Sequence, residues 1–245
     1  MLRRQLLFAG LALAVSAASA PAASVTWTAA SGNLAASAEF EAVGTDLVIT
    51  LTNTSMSDVL APADILTGVF FDILSDGPLS LSPVSAVLGP TSFVLYGIVD
   101  PGNKVGGEWA FSSSLVGAPG GADYGVSSAG LGLFGDPLFP GNNLGGPIAV
   151  NGLQYGITSA GDNPDIGNAA VTGGHALIQN QVAFTFSGLP EDFDPTSKIT
   201  NVSFQYGTSL LEPNIPGVPE PATAALAGLA IAGLGRRAPR GRASA

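Results

Sequence analysis

Cysteine is absent from all 245 residues. A chain built this way has no disulfide to staple it, so its fold must rest on its own core. Histidine occurs once, as His175. One imidazole cannot make a zinc centre, which takes three or four N, S or O ligands. Basic residues are nearly missing from the middle of the chain. Six of the eight are arginines at the extremities, Arg3, Arg4, Arg236, Arg237, Arg240 and Arg242. Between Ser24 and Asn214 only Lys104 and Lys198 remain, against seventeen of the 18 acidic residues, a net charge of −15. Phosphate binding needs Lys and Arg to neutralise charge, so nucleic acid is excluded as a partner. Long charged tracts are also lacking, which argues against wholesale disorder.

Long apolar runs are missing too, but two short ones stand at the ends. Met1–Ala23 has a basic start (Arg3, Arg4), an apolar stretch from Leu6 to Val15, and then small residues including Ala18, Ala20 and Ala22. That is the layout of a secretory signal peptide, with cleavage expected between Ala18 and Ser24 and signal peptidase as the processing enzyme. Ala222–Leu234 spans 13 residues, about 20 Å as a helix against a hydrocarbon core of roughly 30 Å. Arg236 and Arg237 follow as a basic stop on the cytoplasmic side. Such a segment suits transient residence in the cytoplasmic membrane better than permanent anchoring.

Between the ends, apolar residues recur every second position. Ala36, Ala38, Phe40 and Ala42 alternate with Ser37, Glu39 and Glu41, and Leu47, Ile49 and Leu51 alternate with Val48, Thr50 and Thr52. Gly44-Thr45-Asp46 between them predicts a hairpin turn. Val182, Phe184 and Phe186, then Val202, Phe204 and Tyr206, repeat the pattern. GVFFDIL (from Gly68) and SFVLYGIV (from Ser92) read as strands buried on both faces, and GEWAFSS (from Gly107) and PIAVNGLQYGI (from Pro147) as shorter ones. With Gly/Pro turns throughout and no amphipathic helix, the pattern predicts one all-β domain, a β-sandwich or jelly roll, over 24–210. Leu115–Gly146, with ten glycines, reads as a long surface excursion. Residues 211–217, rich in proline, read as an extended spacer.

No constellation in this body carries chemistry. GLGLFG (from Gly130) matches G-x-G-x-x-G, but Asp136-Pro137 follow where a dinucleotide site needs a helix to open. No G-x-S-x-G elbow surrounds a serine, which leaves His175 without a triad. Asp162 with Asp165, and Asp192 with Asp194, are the loop pairs that could take Ca²⁺, though neither has EF-hand spacing. Otherwise no cofactor is expected. Trp27 and Trp109 could stack on sugars, but both sit in strand-like segments where a buried aromatic is the ordinary outcome.

The C-terminal features stand together in VPEPATAALAGLAIAGLGRR, from Val218 to Arg237. Over 218–245 the chain closely resembles the PEP-CTERM sorting signal of Gram-negative exported proteins. Val218-Pro219-Glu220-Pro221 matches the motif, Ala222–Leu234 the short helix, and Arg236-Arg237 the basic end. The resemblance implies processing near the motif by exosortase, a membrane protease or transpeptidase, and release or transfer to the cell surface. The body also looks like exosortase-dependent surface proteins, through LVITLTNTS (from Leu47), DVLAPADILTGVFFDI (from Asp58), GGEWAF (from Gly106), GLGLFG and FQYGTSLLEP (from Phe204). That likeness implies no enzymatic activity. The expectation is an exported, non-catalytic surface or matrix protein. The alternative is a secreted polysaccharide-binding module or hydrolase that uses loop carboxylates and aromatics.

Overall fold

The computed structural model describes residues 22–75, 77, 79–134, 143–145, 153–165 and 174–221. The signal-peptide residues Met1–Pro21, the apolar segment 222–234 and the arginines beyond it lie outside these. Among the described residues no helix is long and apolar enough to cross a membrane.

The alternating segments are strands. β1 (Ala23–Ser31), β2 (Leu34–Val43) and β3 (Asp46–Asn53) form an antiparallel meander. The β2–β3 turn has two residues, and the first, Gly44, sits at φ 62°, where a side chain would be strained. β4 (Leu66–Ile73), β5 (Ser82–Leu88), β6 (Phe93–Leu95), β7 (Ala110–Ser113) and β8 (Tyr124–Ser127) follow. After them come β9 (Ile157–Thr158), β10 (Leu177–Gln179), β11 (Gln181–Ser187), a single helical turn α1 (Pro195–Lys198), β12 (Ile199–Tyr206), β13 (Asn214–Pro216) and β14 (Val218–Pro219).

They make two sheets. One runs β14-β1-β2-β3-β11-β5, the other β13-β12-β4-β9-β10-β6, with β8 and β7 also paired alongside β4. The all-β expectation holds. Inward residues of the two sheets interdigitate: Phe40 meets Phe71 edge-on at 5.1 Å, Phe184 meets Trp109 at 4.9 Å, and Phe186 meets Phe111 at 4.5 Å. All the residues expected to face inward on β2, β3, β11 and β12 are buried except Ala42, which is partly buried.

Three expectations are corrected. The described part of Leu115–Gly146 is not a surface excursion. It contains β8 and lays Leu115, Ala118, Ala122 and Phe134 over the outer face of β4, where Phe70 stacks on Phe134 at 6.1 Å. This cover explains why β4 is buried on both faces, as its unbroken apolar run requires. SFVLYGIV is not doubly buried. Only Phe93–Leu95 is strand, pairing with β10 at the sheet edge, and Phe93, Tyr96, Ile98 and Val99 are exposed. The chain leaves the edge at Tyr96, whose φ of 54° ends the pairing. Of PIAVNGLQYGI, residues 147–152 lie outside the described set, and its end supplies β9.

The third correction concerns the spacer. Residues 211–217 are not free of the body: Asn214–Pro216 pairs with β12 as β13, and Val218–Pro219 continues onto β1 as β14. The chain crosses from one sheet to the other at Gly217, whose N–H donates to Val202 O at 2.8 Å. A Cβ there would stand 3.1 Å from Phe204 and 3.2 Å from Val202 O.

Phe184 is fully buried on β11, hydrogen-bonded on both sides by β3 and β5. Phe184→Ala should therefore destabilise the protein by about 3–5 kcal/mol. A urea midpoint unchanged from wild type would contradict the placement of this ring against Trp109.

Candidate functional site

The four motif residues emerge at one sheet edge. Thr28 faces Val218 and Trp27 faces Pro219 across the β1–β14 ladder. The Glu220 N–H donates to Thr26 O at 2.8 Å, while Val218, Glu220 and Pro221 are exposed. Proline suits this position because it lacks the N–H that an edge strand would otherwise offer to another chain. The motif thus runs antiparallel to the first strand, which brings Pro221 towards the same end of β1 as Ala23. Arg236 and Arg237 lie outside the described residues.

The other candidate residues disperse. Trp109 is fully buried, and Trp27 is half-buried against the core beside Gly217, so neither offers a flat face to a sugar. His175 is half-buried just before β10. In GLGLFG, Gly130–Phe134 form a turn in which the N–H groups of Leu133 and Phe134 both donate to Gly130 O. Phe134 is core. Asp194 is spent as a cap: it accepts from the Thr196 N–H and hydroxyl at 3.0 and 2.7 Å and from the Ser197 hydroxyl at 3.0 Å. These bonds, the Thr196 hydroxyl foremost, hold its carboxyl below the usual range. Asp192 and Asp165 are exposed. Asp162 is buried, and the acid acting on it is Asp58 rather than Asp165. Among the described residues no three His, Cys, Asp or Glu gather as a metal cluster.

One cleft went unread in the sequence. Asp100, Lys104, Glu108 and Tyr155 share a small cavity bounded by Ile98 and Gly107. It adjoins a larger cleft of about 410 Å³ that Asp100 and Lys104 also line. Glu108 ends a single 3-10 turn, and Gly106 within that turn packs against the backbone of Leu144 and Gly145 too closely for any side chain. Burial, with Asp100 adding to it, pushes the Glu108 carboxyl up to about 7. Tyr155 holds φ 59°, and its hydroxyl donates to Ile98 O at 2.8 Å. The signal that could have found this residue is a dipeptide. All four tyrosines, Tyr96, Tyr124, Tyr155 and Tyr206, are followed by glycine. At Gly97, Gly125 and Gly156 an added Cβ would come within 2.8 Å of a neighbouring side chain.

No protein-family model matches the chain, and neither a curated protein nor a solved structure matches it.

Glu108 generates a pH prediction. Its folded-state pKa lies above the unfolded value, so the native protein binds the extra proton. Its contribution to stability is complete below about pH 4.5 and is lost as pH rises towards about 7. Glu108→Gln should flatten that part of the stability–pH curve. At pH 8 it should raise stability by about 1 kcal/mol, the full linkage value being reduced for solvent screening. Parallel curves for mutant and wild type between pH 4 and 8 would count against a buried, proton-holding Glu108.

Proposed function

We propose that this chain is an exported, non-catalytic β protein of the bacterial cell surface or extracellular matrix. In this reading a signal peptide delivers it and a PEP-CTERM signal passes it to exosortase. The observation that carries the reading is the ordered set at the C-terminus: Val218-Pro219-Glu220-Pro221, the largely apolar segment Ala222–Leu234, then Arg236-Arg237. The fold adds support of a different kind. Both membrane-directed ends depart from one end of β1, so a precursor held by either would present the same edge to the membrane. The charge of −15 on the body suits release into solvent or an extracellular matrix rather than adhesion to anionic lipid.

A second reading, a secreted hydrolase or polysaccharide-binding module, is favoured by one feature, the cleft with Asp100 and Glu108. Burial of Trp109 and the half-burial of Trp27 remove the aromatic platform it would have used. Retardation of the protein in gels containing soluble polysaccharide, abolished by Glu108→Gln, would move the assignment to this class.

Glu220 offers the test of sorting. Its side chain is exposed, and its N–H bond to Thr26 survives substitution. Glu220→Ala should therefore leave the body within about 0.5 kcal/mol of wild-type stability. The uncleaved form should accumulate at the inner membrane, read by intact mass and fractionation. Replacing Arg236 and Arg237 by Ala should also impair processing. An unchanged mature mass and surface location for Glu220→Ala would overturn the sorting-signal reading and leave a weak anchor in its place.

A further inference from the structure

The loop after β3 and the loop after β9 meet at two carboxylates. Asp162 Oδ1 accepts from the Val59 N–H at 2.8 Å, and Asp58 Oδ1 accepts from the Asn163 N–H at 2.9 Å. Each acid holds the amide next to the other acid, which draws the two side chains into one junction. Asp162 is 5% exposed, and its Oδ2 is buried with no hydrogen-bond partner. Thr158, fully buried, leaves Oγ1 equally unpartnered. Its hydroxyl stands beside the Asp162 carboxyl closely enough to favour the charged form, yet outside hydrogen-bonding geometry.

Among the described residues no Lys or Arg acts on this junction. Segments 53–64 and 153–180 contain no Lys or Arg, and neither Lys104 nor Lys198 is among the groups acting on Asp162. Burial first, and then Asp58, push the Asp162 carboxyl above its usual range, while the Val59 N–H and Thr158 pull it down. A buried carboxylate oxygen without a well-formed hydrogen bond is costly, and it is normally paired or bound to a metal.

We propose that this junction binds one calcium ion, held by the carboxylates of Asp162 and Asp58 and the hydroxyl of Thr158. Water and backbone carbonyls of the two loops complete the shell. The donors are all oxygen and come from irregular loops, which suits the six- to eight-fold, flexible coordination of Ca²⁺ better than the strict octahedron of Mg²⁺. The ion would act as a staple between sheets. Asn53, at the end of β3, donates through Nδ2 to Ile157 O of β9 at 2.9 Å, so the clasped loops continue strands of opposite sheets. In a chain without cysteine, a metal clip can do for such loops what a disulfide would do elsewhere.

The full-length protein serves for the test, by thermal unfolding in EDTA, in increasing CaCl₂, and in NaCl of matched ionic strength. Calcium at 100-fold its Kd should raise Tm by about 5–10 °C over the NaCl control. Asp162→Asn should abolish the shift, and Asp58→Asn and Thr158→Val should move its calcium midpoint at least about tenfold higher. Calorimetric titration should show one site in wild type and none in Asp162→Asn. If Asp162→Asn does not fold, the other two variants carry the same comparison. Equal Tm in CaCl₂ and NaCl would overturn the proposal, as would a full calcium shift retained in Asp162→Asn. So would an Asp162→Asn protein at least as stable as wild type in EDTA with calcium acting on neither, the behaviour of a carboxyl that simply keeps a proton.

Discussion

Both faces of the strand Leu66–Ile73 are dry from Leu66 to Phe71, and the rest of the molecule is arranged to keep them so. Phe71 points into the space between the sheets, against Phe40 and Tyr124, and Phe70 points outward against Phe134. A strand buried on both sides must also satisfy its backbone on both edges. One edge is met by β12, the other first by β9 and then by β8. Polar side chains close the remaining gaps. Thr67 donates its hydroxyl to Gly207 O at 2.6 Å, and Ser127 donates to Thr67 O at 2.9 Å. The glycine-rich chain from Leu115 to Phe134 is the lid that makes this double burial possible.

The shortage of cations shapes the loops. A typical domain would pair carboxylates with Lys or Arg, whereas here they are aimed at backbone N–H groups. Asp64 Oδ2 accepts from Leu60 and Ala61, Glu212 Oε2 from Thr208 and Ser209, and Asp72 Oδ1 from Asp123. Each carboxylate closes a turn with charge-assisted bonds that need no second long side chain to be ordered. Where burial outruns the supply of N–H donors, as at Asp162 and Glu108, the carboxyl shifts towards neutrality.

Two kinds of strand were legible in the sequence: alternating ones, and β4, whose unbroken apolar run marks burial on both faces. β2, β3 and β11 alternate because polar residues occupy every second position, and pleat geometry does the rest. β8 was not legible, since YGVS is small and mostly buried, and β4 supplies its register from far away in sequence. β5, β13 and β14 were missed for a different reason. Each contains a proline (Pro83, Pro216, Pro219), which interrupts a strand pattern, yet all three stand in outermost strands, where a missing N–H is useful. The Asp58–Asp162 clasp was half-legible. The sequence marked Asp162 but offered Asp165 as its partner, because two loops joined only by tertiary folding leave no local spacing to read. The Gly106–Glu108 turn was misread: GEWAFSS reads as one strand from Gly107, but Gly106–Glu108 is a 3-10 turn on which Leu144 packs, and the strand is only Ala110–Ser113.

Pairing the motif with β1 sets a constraint on any enzyme that cuts near it. A protease binds an extended segment by its own backbone contacts, and Val218–Glu220 already spends part of its backbone on Thr26, Trp27 and Thr28. The attachment is slight. The ladder is two residues long, one of them is a proline without an N–H, and a typical backbone bond contributes only about 0.5–1.5 kcal/mol net. Opening at this level belongs to the local, low-energy end of native fluctuations and leaves the core untouched. β13 is anchored more firmly, by three residue pairs to β12 and by the Gly217 bond to Val202. Peeling should therefore stop at Gly217. In the proposed sorting pathway this makes the motif a strand end that frees itself without unfolding the domain, and Gly217 the point where body and signal part.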